Sequence, residues 1–121
     1  MKWIKLTSEA DLNDLLRRSV DKPQVIFKYS NQCGLSDRVL ARLELYPTPD
    51  GMDFYFVDIF TYRGISNKIA AVLGVHHESP QVLLVMNGEC VYEESHNAIR
   101  MEELIKHAGS VSEQPGVRGL Q

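Results

Sequence analysis

One cysteine carries the clearest chemical signal in this chain. Cys33 lies in Ser30-Asn31-Gln32-Cys33-Gly34-Leu35-Ser36, after the apolar stretch Val25-Ile26-Phe27 and before Leu35, Val39, Leu40 and Leu43, which recur at helical spacing. That pattern predicts a strand, a short loop and a helix, with Cys33 at the helix N-terminus. A sulfur in that position faces unpaired backbone N–H groups and the positive end of the helix dipole, and both favour thiolate over thiol. The thiolate is the nucleophile of disulfide exchange. The spacing also leaves open a buried cysteine serving as a small hydrophobe.

Ser36 stands where a second cysteine would make the loop a dithiol. A serine hydroxyl can donate a hydrogen bond to a thiolate, but it cannot resolve a mixed disulfide. Exchange at Cys33 is therefore expected to pass through an intermolecular species. Cys90, the other cysteine, falls in a strand-like stretch with Val91 and Tyr92 and is expected to be core filler, because free cysteine is among the most buried residue types. His76, His77 and His96 invite a metal reading. Adjacent histidines point to opposite sides of an extended chain, so a shared metal site is not expected. His77 and Lys28 are the groups whose charge could bear on Cys33, although Lys28, at a strand end, is placed to snorkel to solvent.

A chain of 121 residues with two cysteines is expected to form one domain around a single core without disulfide staples. Its longest apolar runs, at 69–73 and 82–86, are far short of the ~20 residues a spanning helix needs. Lys5, Glu9 and Asp11 interrupt the N-terminus, so no signal-peptide core is expected and the cytoplasm is the expected compartment. A net charge of −3 with mixed signs gives no basic patch for nucleic acid.

The elements that would position Cys33 follow from patterning. Trp3 to Leu6 reads as a strand. Ser8 is placed to cap a helix with Leu12, Leu15 and Leu16 on its apolar face. The strand 24–29 leads into the cysteine loop, and the second helix should fade before the turn formers 47–51. A strand at 54–59 precedes a helix over 62–73 with Ile65, Ile69, Val72 and Leu73 facing the core and Gly74 ending it. Val82 to Met86, the Asn87-Gly88 turn and Glu89 to Glu94 form a hairpin. A last helix, with Met101, Leu104, Ile105 and Ala108 on one face, is expected to end at Gly109. The domain is thus 1–109, and residues 110–121 are expected to be a flexible tail. Alternating β and α units closed by a hairpin imply an α/β fold, a mixed central sheet with helices on both faces.

This order, with a cysteine opening the second helix and Ser79-Pro80 before the penultimate strand, resembles the thioredoxin fold over residues 1 to about 108. The resemblance implies a cis Pro80 beside the active cysteine and a Ser79 backbone that aligns a partner strand. More narrowly, the chain is similar to the monothiol bacilliredoxins of the YtxJ type. The similarity is carried by Trp3, Cys33-Gly34-Leu35-Ser36, His77-Glu78-Ser79-Pro80-Gln81, Asn87-Gly88-Glu89 and Ser95-His96. That family usually shows Thr-Arg-Cys-Pro-Ile-Ser at the active loop, whereas this chain lacks both the arginine and the helix-starting proline.

The resemblance implies Cys33 and Ser36 as catalytic residues, with Gln32, Gly34, Ser79 and Pro80 contacting substrate. It implies no bound cofactor or metal, but a low-molecular-weight thiol such as bacillithiol as co-substrate. S-thiolated client proteins and an external reductase would be partners, with no nucleic acid and no membrane involved. Cys33-Gly34-Leu35-Ser36 also resembles the Cys-Gly-Phe-Ser motif of monothiol glutaredoxins that carry a [2Fe–2S] cluster. The glutathione-binding Gly-Gly-x-Asp of those proteins is replaced here by Val91 to His96. A third reading is a non-enzymatic thioredoxin-like binding module with an incidental cysteine.

Overall fold

A computed structural model describes residues 1–113, with side chains to residue 109. Five strands and four helices alternate as the patterning predicts. They are β1 (Trp3–Lys5), α1 (Glu9–Arg18), β2 (Gln24–Tyr29), α2 (Gly34–Leu43), β3 (Asp53–Asp58), α3 (Arg63–Leu73), β4 (Gln81–Met86), β5 (Glu89–Ser95) and α4 (Met101–Glu113), with a 3-10 turn at His96–Ala98 before α4. The sheet order is β1-β3-β2-β4-β5. β1, β3 and β2 are parallel, and β4 and β5 join antiparallel.

Local chemistry accounts for the element ends. The Ser8 hydroxyl accepts the Asp11 N–H at 3.1 Å, satisfying one orphan donor of the first turn of α1, and the Asp11 carboxylate accepts the Thr7 N–H at 3.1 Å, which fixes the chain entering the helix. Gly74 ends α3 at φ 66° and Asn87-Gly88 turn the hairpin at φ 53° and 76°, left-handed values that glycine and asparagine adopt at least cost.

The sheet separates two apolar layers. On one face Val25, Phe27, Phe54, Val82 and Leu84 pack with Val39 and Leu43 of α2 and Met101, Leu104 and Ala108 of α4. On the other, Ile26, Tyr55, Val57, Leu83 and Val85 pack with Leu12 and Leu15 of α1 and Ile69 of α3. β2 and β4 are central and their side chains are buried on both faces, as parallel and mixed sheets covered by helices require.

Three expectations are corrected. Val72 and Ile105 are exposed, and on α3 the buried position belongs to Ser66 instead. α4 runs through Gly109 to Glu113. Gly109 has no positive φ, so it stays in the helix, where glycine costs about 1 kcal/mol relative to alanine but is tolerated. The expected tail therefore begins as helix, and residues 114–121 lie outside the described residues. Lys28 does not reach solvent: it is fully buried, because β2 lies in the middle of the sheet and α3 covers its end.

Candidate active site

The register sets the site. Lys28 of β2 pairs with Gln81 of β4, so the loop that leaves β2 toward Cys33 and the segment that enters β4 through Ser79 and Pro80 emerge side by side at one end of the sheet. The Ser79–Pro80 peptide bond is cis.

Ser30 shapes the cysteine loop. Its carbonyl accepts the Cys33 N–H at 3.2 Å and its hydroxyl accepts the Gln32 N–H at 3.2 Å. Its own N–H donates to the Ser36 hydroxyl at 3.2 Å. Tyr29 adds a second brace by donating its phenolic O–H to Asp37 in the first turn of α2 at 2.5 Å. Strand end and helix start are thereby locked together with the cysteine between them. None of these contacts is visible as a motif; the only sequence hint is the density of serine around Cys33, a residue type that closes local turns.

Cys33 is the N-cap of α2 and half-buried. As a thiol it closes no capping hydrogen bond. Its pKa is nonetheless held below the usual thiol range, first by the Ser36 backbone N–H; burial opposes this as the next largest effect, and the Leu35 N–H, the Ser36 hydroxyl and, least, the charge of Arg38 add to the lowering. Arg38 is the residue that sequence reasoning missed: five residues beyond Cys33 on α2, it supplies a cation where the loop itself has none. Ser36 is fully buried. Its oxygen is occupied by the Ser30 N–H, which leaves its proton for the sulfur. Gly34 has open space where a Cβ would stand, so no close packing compels a glycine there. Gln32 and Gly34 are exposed on either side of Cys33.

A Ser36→Ala variant should raise the Cys33 pKa and slow its alkylation by iodoacetamide at neutral pH, since one donor to the thiolate is lost. It should also cost about 1–3 kcal/mol of stability, because the buried Ser30 N–H loses its acceptor. The alkylation rate against pH reads the first effect and urea unfolding the second.

Across the site, Pro80 is buried and Ser79 half-buried. The Pro80 carbonyl accepts the His96 N–H at 2.9 Å. The Ser79 hydroxyl oxygen is buried with no hydrogen-bond partner among the described residues. Gln81, fully buried, staples the approach: its Nε2 donates to the His76 carbonyl at 3.0 Å and its Oε1 accepts the Glu78 N–H at 3.4 Å. Arg42 of α2 donates to the carbonyls of Asn97 and Ile99 at 3.0 and 2.6 Å, tying the cysteine helix to the turn that follows β5.

Cys90 lies elsewhere. It pairs with Val85, four residues along β4 from Gln81, or about 13 Å at 3.3–3.4 Å per residue, beyond the ~7 Å that limits a disulfide between Cα atoms. Burial pushes its thiol up to about 11, and it packs against the layer of Ile26, Leu83 and Val85. The geometry makes it core filler. His76 and His96 both approach Glu78, at 3.8 and 3.4 Å. Among the described residues no three His, Cys, Asp or Glu side chains converge as a metal site would need, and no helix is long and apolar enough to cross a membrane.

Solved structures share this architecture. One described as having a thioredoxin fold superposes with a TM-score of 0.75 at 28% identity, over 86% of this chain and 91% of its own. Schistosoma mansoni thioredoxin gives 0.70 at 24% identity over 89% and 99% of the two chains. Fasciola hepatica thioredoxin gives 0.67 at 22% identity over 85% and 97%. The fold is the thioredoxin fold. The family model for the monothiol bacilliredoxin BrxC matches residues 4–104, a span that holds Cys33, Ser36, Ser79 and Pro80 together. With a single thiol at the helix N-terminus and serine in the resolving position, the chain belongs to the monothiol bacilliredoxin family, and its chemistry is thiol–disulfide redox chemistry.

Proposed function

We propose that the protein removes a low-molecular-weight thiol of the bacillithiol kind from S-thiolated client proteins. The Cys33 thiolate attacks the small thiol's sulfur in the mixed disulfide. A bond forms between Cys33 and that sulfur as the client's sulfur–sulfur bond breaks, and the client cysteine leaves as thiolate. A second thiol, from solution or from an external reductase, then attacks the Cys33 mixed disulfide and restores the free thiolate. Ser36 and the backbone N–H groups of α2 stabilise the thiolate. Gln32 and Gly34 flank the incoming disulfide, and the cis Ser79–Pro80 segment holds the client as an added strand. A reducing compartment such as the cytoplasm suits this cycle.

The observation that supports this reading is the separation of the two thiols: Cys33 at one end of the sheet with its pKa lowered, and a half-buried Cys90 at the other with its pKa raised. Incubation with bacillithiol disulfide followed by mass spectrometry of the intact chain and its peptides tests it. One small-thiol adduct on Cys33, with Cys90 unmodified and no internal disulfide, is the expected result. Absence of an adduct on Cys33, or a Cys33–Cys90 disulfide, overturns it. Parallel de-thiolation with glutathione and coenzyme A mixed disulfides ranks the small thiols.

A further inference from the structure

Arg38 is an exposed cation without a counter-ion on the helix that Cys33 opens. Its guanidinium has no hydrogen-bond or ion-pair partner among the described residues. Asp37, its neighbour in sequence, is engaged by the Tyr29 phenol, and side chains one apart on a helix do not face each other. Arg42, four residues on and on the same face of α2, is used structurally. It donates to the carbonyls of Asn97 and Ile99 and to the Asn97 side chain. The two arginines of one helix face thus divide their roles: Arg42 fastens α2 to the turn after β5, and Arg38 stands unpaired on α2 between Cys33 and that anchor.

Helix geometry brings this guanidinium to a substrate at Cys33. Five residues of α-helix rise about 7.5 Å, and helical side chains lean back toward the N-terminus. The Arg38 charge accordingly acts on the sulfur itself, as the smallest of the effects that lower the Cys33 pKa. The guanidinium therefore stands off the sulfur by a distance that the body of a small thiol spans. The cis-proline side carries the opposite sign. Glu78, two residues before Pro80, is half-exposed, with His76 and His96 Nε2 at 3.8 and 3.4 Å from its carboxylate, and the His96 N–H is tied to the Pro80 carbonyl. An anionic group on a disulfide bound at this site is drawn toward Arg38 and repelled from Glu78.

We propose that Arg38 is a specificity residue of the exchange: it binds a carboxylate of the low-molecular-weight thiol whose sulfur Cys33 attacks, so that the protein selects small thiols carrying an anionic group away from their sulfur. The planar guanidinium takes a carboxylate through two parallel N–H donors. The bonds made and broken are those of the exchange itself, and Arg38 gives up no proton.

The assignment rests on the monothiol reading, and its test separates the two. The full chain, as wild type and as Arg38→Gln, Arg38→Glu and Arg38→Lys, is reacted at pH 7 with bacillithiol disulfide, glutathione disulfide and the methyl esters of both, and formation of the Cys33 adduct is timed by mass spectrometry. Esterification removes the carboxylate charge and leaves the disulfide in place. The readout is the ratio of acid to ester rates, because a change in the Cys33 thiolate fraction scales both rates alike and cancels. In Arg38→Gln the ratio should fall about fivefold, the upper range for an exposed ion pair. It should fall further in Arg38→Glu, and Arg38→Lys, which keeps the charge, should hold most of the wild-type value. Ratios within twofold of wild type in Arg38→Gln and Arg38→Glu overturn the assignment and leave exchange at Cys33 standing, as does a ratio in Arg38→Lys as low as in Arg38→Gln. Failure of wild-type Cys33 to take an adduct from any of these disulfides overturns the monothiol reading and the assignment with it.

Discussion

Cys33→Ser should abolish small-thiol exchange, with turnover on a model mixed disulfide falling by at least about a thousandfold. A hydroxyl at this position is not ionised near neutral pH, and no other thiol can take over, because Cys90 lies at the far end of the sheet and partial burial pushes its thiol up to about 11. Stability should change by less than about 0.5 kcal/mol, since Cys33 is half-buried and closes no capping hydrogen bond of its own. In the wild type the rate should rise with pH as the thiolate forms and then level off. The plateau should begin at a lower pH than for free cysteine, because the folded state lowers the Cys33 pKa. De-thiolation measured from pH 5 to 10, with Cys33→Ser as the blank, checks both points. Activity surviving in Cys33→Ser would place the chemistry elsewhere.

The second large effect belongs to Phe27. Its ring is fully buried and lies 5.7 Å from Trp3, 6.0 Å from Phe56 and 6.4 Å from Tyr29, centroid to centroid. Phe27→Ala should destabilise the protein by about 3–5 kcal/mol through lost burial and the cavity left behind, a large share of the ~5–15 kcal/mol that holds a domain of this size together. Activity should fall only at temperatures or urea concentrations where unfolding begins, because Phe27 faces α2 and α4 and does not touch the reacting groups. Urea unfolding followed by tryptophan fluorescence measures it, with Trp3 in the same cluster as the reporter. A loss under 1 kcal/mol would mean that the aromatic layer repacks around the gap.

The fold was legible because its signals are local and mutually consistent. Period-2 and period-3.6 patterns, Ser8 as a cap, Asn87-Gly88 as a hairpin turn and Gly74 as a helix stop each act within a few residues, and the structure uses each as read. Errors arose where side-chain environment decides. Val72 and Ile105 are apolar yet lie at the edges of their helix stripes, and Ser66 occupies the buried position beside Lys28. Gly109 looked like a stop, but a glycine ends a helix only when its φ turns positive, and nothing local forces that here.

At the cysteine itself, the sequence by itself supplied the candidate nucleophile, its place at a helix N-terminus and the absence of a second cysteine at position 36, since all three follow from residue identity and spacing. Only the tertiary structure decided how the thiolate is favoured. In a loop without the family's arginine, the N–H groups of Ser36 and Leu35 lower the Cys33 pKa more than the charge of Arg38 does, and Ser30, Ser36 and the Tyr29–Asp37 contact tie that helix start to the strand end. Only the fold, too, turned Lys28 from a surface cation into a buried donor to His77. The physical reason is the same in each case: a pKa depends on what surrounds a group in space, and Lys28 and His77 are 49 residues apart in the chain.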